Sequence, residues 1–444
     1  MPVRAAPPAN IGDSGSSADS TGVGRELIAR ELWRLMTTLT PQRKLSERAI
    51  NAAPSPTLAI AAKAGALKAQ GVDVVSFSAG EPDFDTPANI KEAAAKALAA
   101  GDTKYTPSSG TVALKDAIIA KLKRDNDLTY TRGEILVSCG AKHSIYNLMQ
   151  AILNHGDEVV IPAPYWVSYP EQAKLAGAVP VIVNTTDKDG FLASAAQIEK
   201  HLTPRTKLVV LNSPSNPTGG VYKPAALREI VDLCTARGIY VMSDEIYEKI
   251  LYRGSEFVSP ASFSADARRL TITINGFSKA YSMTGWRLGY AAGDADIISA
   301  MSRIQDQSTS NPTSFAQAGA VEALNGPQDA VETMRQAFEE RRGRIVSLLN
   351  DIPGVDCLSP GGAFYVFPNV SRLYGKKWTD ADGAARIVQG SDDLAEYLLS
   401  TKYVALVPGS GFGADDHIRL SYATSMANIE KGVARIAEAV AALA

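Results

Sequence analysis

Six short apolar runs alternating with helical patterns decide what this chain can fold into. They are EILVSCG (134–140), DEVVIP (157–162), VPVIVN (179–184), KLVVLN (207–212), GIYVMSD (238–244) and TITIN (271–275). A strand with one wet face alternates apolar and polar residues, whereas these runs are close to continuously apolar, so both of their faces must be covered. The covers are legible between them. Ile145, Leu148, Met149, Ile152 and Leu153 fall on one helix face, KPAALREIVDLCTARG closes on Arg-Gly, and KEAAAKALAAG is stopped by Gly101. The expectation is an α/β fold with a mostly parallel central sheet covered by helices. In such sheets ligands bind beyond the carboxyl ends of the strands.

After residue 326 the texture changes. A long helical stretch, VETMRQAFEERRGRIVSLLN, precedes FYVFPNV, SDDLAEYLLS, YVALVPG, HIRLSYA and a last helix with Ile429, Val433, Ile436 and Val440 in register. That reads as a smaller α+β unit. The expected organisation is a disordered extension over 1–44, a segment 45–87 joining the small domain, a large cofactor-binding domain over 88–326, and the small domain over 327–444. Within the extension, PPANIGDSGSSADSTGVG is polar and turn-prone, RELIARELWRLM suggests a short helix, and no secretory h-region is present.

Several function classes are disfavoured by composition. A net charge of −2 over 444 residues offers no field for nucleic acid or an anionic membrane. Cys139, Cys234 and Cys357 lie far apart, without metal or redox spacing, which suits a reducing, cytoplasmic setting. The four histidines are scattered and form no metal site, and no apolar run reaches the roughly 18 residues of a membrane span.

Polar residues gather where the strands end. GIYVMSD ends in Asp244, with Tyr247 just beyond; KLVVLN ends in SPSNPTGG, containing Asn216; EILVSCG leads into Gly140-Ala141-Lys142; TITIN leads to Ser278-Lys279 and then Arg287. A helix N-terminus preceded by glycine is an anion site, so Gly140 and Ala141 with Ser278 and Arg287 suit a phosphate. A carboxylate such as Asp244 keeps a pyridine nitrogen protonated, Tyr247 donates to a phenolate oxygen, and a lysine beside that ring forms a Schiff base. These are the requirements of pyridoxal 5'-phosphate. Taken singly, Asp244 reads as an N-cap, Gly140 as an ordinary turn, Trp166 as packing and Arg419 as an edge-strand charge. Their joint occurrence, in order and at strand ends, outweighs those readings.

GFSKAYSMTGWRLGY (276–290) resembles the cofactor-lysine signature of the fold-type I, class I aminotransferases. FSAGEPDFDTP, KYTPSSG, PYWVSYPE, NSPSNPTGG, SDEIYEKI and IRLSYA follow in that family's pattern, over roughly residues 45–444. The resemblance is to the bacterial-type aspartate aminotransferases of subgroup Ib. It implies that Lys279 is the Schiff-base lysine and proton shuttle, that Asp244 pairs with the pyridine nitrogen, and that Tyr247 and Asn216 contact the ring hydroxyl oxygen. It also implies phosphate contacts from Ser278, Arg287, Gly140, Ala141 and, from a neighbouring subunit, Tyr105, with Trp166 stacking on the ring. Arg419 would clamp the substrate α-carboxylate, assisted by Asn216 and the backbone of Gly80, and the protein would be a homodimer with shared sites.

Substrate choice turns on Lys142, which in that subgroup is associated with the distal carboxylate of aspartate or glutamate. Relatives that transaminate prephenate often carry a basic residue just before the PSxT segment, and here Ala53 stands there. Prephenate or broad aromatic transamination, or another reaction of this fold such as C–S lysis, are the alternatives. A cofactor-sensing regulator would need a DNA-binding domain, for which residues 1–44 are too few and too polar.

Overall fold

The computed structural model describes residues 45–380 and 382–444. The expected disordered extension and the RELIARELWRLM helix lie outside the described residues. Backbone contacts divide the chain after Asn51. The helix Glu47–Asn51 stands before that point, and the sheets and cores described below belong to residues 52–444.

Seven strands form the large sheet: β1 Ile135–Ser138, β2 Glu158–Ala163, β3 Val179–Asn184, β4 Thr206–Asn212, β5 Tyr240–Asp244, β6 Thr271–Gly276 and β7 Gly289–Ala292. Their spatial order is β1-β7-β6-β5-β4-β2-β3. The pairs β2–β3, β2–β4, β4–β5 and β5–β6 are parallel, while β7 runs antiparallel to both of its neighbours. The sheet is therefore mostly parallel, as the apolar runs require. Alternate residues serve different layers. Val159, Leu208, Val210 and Met242 join one core with Ile145, Leu148 and Met149 of the helix Ala141–Ile152. Val160, Val209, Leu211 and Val241 join another with Leu227, Ile230 and Cys234 of the helix Pro224–Ala236.

A three-stranded antiparallel sheet has Ile418–Ser421 in the middle, between Val407–Pro408 and Tyr365–Val366. It shares a core with the helices Asp329–Asn350 and Met426–Ala441 through Phe338, Ile345, Ile429 and Val433. The segment leading to Gly80 is bound in here as well. Val75–Ser76 pairs in parallel with Val404–Ala405, and Ser421 N–H donates to the Phe77 carbonyl at 2.8 Å. Among the described residues no helix is long and apolar enough to cross a membrane.

Candidate active site

Parallel strands in register put their last residues side by side. Asn212 is the partner of Asp244 across β4–β5, and Asp244 is the partner of Ile274 across β5–β6. The loops leaving these strands, with the segment 78–81 and the strand carrying Arg419, enclose a cavity of about 420 Å³. Lys279, Asp244, Asn216, Arg419, Trp166 and Tyr247 all line it. So do Gly80, Ala141, Lys142, Ser278 and Arg287.

Gly140 lies just behind the wall, at a backbone φ of +96° that favours glycine. A Cβ there would meet an Arg287 terminal nitrogen at 2.7 Å. Arg287 itself holds φ +55°, a region that non-glycine residues seldom occupy, and donates to the Thr284 carbonyl at 2.8 Å. The first N–H groups of the helix Ala141–Ile152 lack intrahelical partners, so a cation and free donors converge on one end of the cavity. That cradle fits an anion.

Asp244 is fully buried. Its Oδ2 accepts from the Tyr169 hydroxyl at 2.6 Å, and its Oδ1 accepts from Ile246 N–H at 3.3 Å. Burial raises its pKa to about 6, opposed by the Tyr169 bond and the Lys279 charge. The Lys279 amine donates to the Gly80 carbonyl. Burial, then the charge of Arg419, lowers its pKa to about 8, with Glu81 and Asp244 opposing. An acid and an amine thus titrate on either side of neutrality in one cavity.

Arg419 is 2% exposed on the middle strand of its sheet, which removes the edge-strand reading. One terminal nitrogen donates to Asn216 Oδ1 at 3.1 Å and the other to the Ser78 carbonyl at 2.9 Å, while Nε has no partner among the described residues. A buried cation with an unpaired donor suits a carboxylate ligand. Lys142 is exposed, with its ammonium 4.8 Å above the Trp166 ring.

Tyr105 stands apart from the other expected residues: it is 92% exposed and does not line this cavity. Several members of the site were given no role by the sequence reading. Asn212 accepts the Asn216 backbone N–H at 2.8 Å, a role that its place at the end of β4 foreshadows. Tyr365, whose hydroxyl is 2.8 Å from that of Tyr247, arrives from the distant antiparallel sheet with no local signal. Tyr169 stands three residues after Trp166, a helical spacing that offers a hint.

The family model described as aminotransferase class I and II matches residues 72–436. The chain belongs to that family. The aminotransferase is 53% identical over 392 residues to the aspartate aminotransferase of Bacillus sp. (strain YM-2), covering 88% of this chain and 98% of the relative. It is 48% identical over 397 residues to the aspartate/prephenate aminotransferase of Nitrosomonas europaea, covering 89% and 99%. The crystal structure of the aspartate aminotransferase from Rhizobium meliloti superposes with a TM-score of 0.86 at 42% identity, covering 90% of this chain and all of that one.

Proposed function

We propose that this enzyme is a cytoplasmic, pyridoxal-phosphate-dependent aspartate aminotransferase. In this reading it moves the amino group between L-aspartate or L-glutamate and their 2-oxo acids, 2-oxoglutarate and oxaloacetate. The observation that carries the proposal is the meeting of Lys279, Asp244, Arg419 and Lys142 in one cavity, each suited to a different charged part of cofactor or substrate. When bound, pyridoxal phosphate supplies the electron sink for charge developing at the substrate's α-carbon.

The chain's residues divide the remaining work. Gly140, Ala141, Ser278 and Arg287 would hold the phosphate, Trp166 would cover the ring face, and Tyr247 and Asn216 would orient the ring oxygen. Asp244 would hold the ring nitrogen in its protonated form. Lys279, with its pKa near 8, has a neutral fraction at physiological pH and is suited to take the α-proton and return it. Arg419 would fix the α-carboxylate as a two-pronged donor, its remaining bonds preventing any swing, with the Gly80 backbone assisting. Residues 88–326 would form the cofactor-binding domain, with 45–87 and 327–444 the smaller one.

Lys142 decides the substrate class. Lys142 lines the cavity, and although the residue keeps solvent exposure, partial desolvation by the surrounding wall, then the charge of Arg287, lowers its pKa, so a carboxylate partner would offset both. The prephenate alternative is disfavoured by Ala53, whose side chain offers no cation; its backbone N–H donates to Glu171 at 2.9 Å. The test is Lys142→Ala with a panel of amino acids. Loss of one charge-assisted bond is worth about 1.5–3 kcal/mol, so kcat/KM for aspartate should fall about ten- to a hundredfold. Alanine and phenylalanine should be nearly unaffected. Equal losses for aspartate and phenylalanine would assign Lys142 to the phosphate or the fold instead.

A further inference from the structure

The helix Ser168–Leu175 turns Tyr169 inward from its first turn, leaving it 2% exposed. Its ring stands edge-on to Trp166, with centroids 5.3 Å apart at 81°, and its hydroxyl reaches Asp244. The phenol therefore bridges the aromatic wall of the cavity and the acid at the end of β5. We infer that Tyr169 is a positioning residue that keeps Asp244 ionised, and so sets the acid limit of cofactor binding. The inference rests on the cofactor reading proposed above.

Asp244 has few other donors. Apart from the 2.6 Å bond from Tyr169, its carboxylate receives, among the described residues, only the 3.3 Å contact from Ile246 N–H. A buried carboxylate that loses its donors takes up a proton, and a neutral acid cannot balance a cationic ring nitrogen. The tyrosine keeps its own proton, because burial and the adjacent Asp244 charge hold its pKa well above the ordinary tyrosine value. It therefore remains the donor across the working range. Lys279 faces Asp244 from the loop after β6, Tyr247 from the turn after β5, and Arg419, Arg287 and Glu81 share the cavity. Of these, Lys279 has a pKa near 8, and its protonation below that disfavours bonding to the cofactor's aldehyde in wild type and variant alike, a step separate from the one that Asp244 sets near 6.

The test is equilibrium binding of pyridoxal phosphate to the cofactor-free full chain from about pH 5 to about pH 9, a range that spans both groups. In the wild type, affinity should fall on the acid side. In Tyr169→Phe that limb should move up by about one pH unit or more, equivalent to about 1.4 kcal/mol per unit, with the Lys279 step near 8 in place. Placing 3-fluorotyrosine at position 169 supplies a more acidic phenol, a stronger donor of nearly the same shape, and should move the limb down. Titration of the cofactor's own phosphate is common to all three proteins and cancels. A structural role alone would lower affinity evenly without moving the acid limb. An unmoved acid limb in Tyr169→Phe overturns the inference while leaving the cofactor reading intact. If Tyr169→Phe does not fold, the fluorinated protein decides: a downward shift supports the inference and an unmoved limb overturns it. A wild type that binds no pyridoxal phosphate at any pH overturns the cofactor reading, and this inference with it.

Discussion

Asp244 and Glu245 are sequence neighbours with opposite fates. Asp244 lines the cavity, whereas Glu245 is buried away from it, accepting from Ser243 Oγ at 2.9 Å and Ser259 Oγ at 2.7 Å, with Oε2 unpartnered among the described residues. Burial, then the charge of Glu248, raises its pKa to about 8. The folded protein thus keeps a proton that the unfolded chain releases above its ordinary carboxylate pKa. Stability from this group is fully present below about pH 4.5, is lost as pH rises, and levels off above about 8. Glu245→Gln cannot titrate, so its melting temperature should match the wild type in acid and exceed it increasingly towards pH 8 in thermal unfolding scans. Parallel curves would contradict this. Lys279 and Asp244 were legible because their chemistry is unusual at a strand end, and Arg419 was legible only through the resemblance of IRLSYA to the family. Tyr169 and Tyr365 were not, since a buried tyrosine reads as core until its hydroxyl partner is known.

One element, the segment from Gly80 to Thr86, is fastened to the loop that carries Lys279 and Arg287. Lys279 donates to the Gly80 carbonyl, Thr284 Oγ1 donates to Glu81 at 2.8 Å, and Thr86 Oγ1 donates to the Ser282 carbonyl at 2.6 Å while accepting Trp286 Nε1 at 3.0 Å. Thr86→Val keeps the shape but leaves the indole N–H and the Ser282 carbonyl without their partner. It should cost about 1–3 kcal/mol in denaturant unfolding, and it should weaken cofactor binding because the lysine loop loosens. An unchanged unfolding midpoint would show that water replaces the threonine. The strands of the sheet were readable because burial on both faces leaves little choice of residue. Gly289–Ala292 was not recognised, being short and built of glycine, tyrosine and alanine. It is needed all the same: a Cβ on Gly289 would meet Ala141 N at 2.2 Å, so a side chain there would push into the anion cradle.

Among the described residues, chain segments from residue 55 to residue 419 meet at one cavity, and no local pattern could have shown that meeting. What pointed to it was the order of the motifs. Exposed Leu98, Tyr105 and Val112 leave apolar side chains away from the cavity, and the family resemblance implies a homodimer in which Tyr105 serves a neighbouring site. Light scattering should give twice the chain mass, and mixing inactive Tyr105→Ala and Lys279→Ala proteins should restore part of the activity as subunits exchange. A fully active monomer would contradict the shared site. The central claim is that Lys279 is where this cavity holds its cofactor. Borohydride reduction of the protein loaded with pyridoxal phosphate, followed by peptide mapping, tests it most directly. The label should be found on the peptide containing Lys279; a label on Lys142 or any other lysine, with Lys279 unmodified, would contradict it.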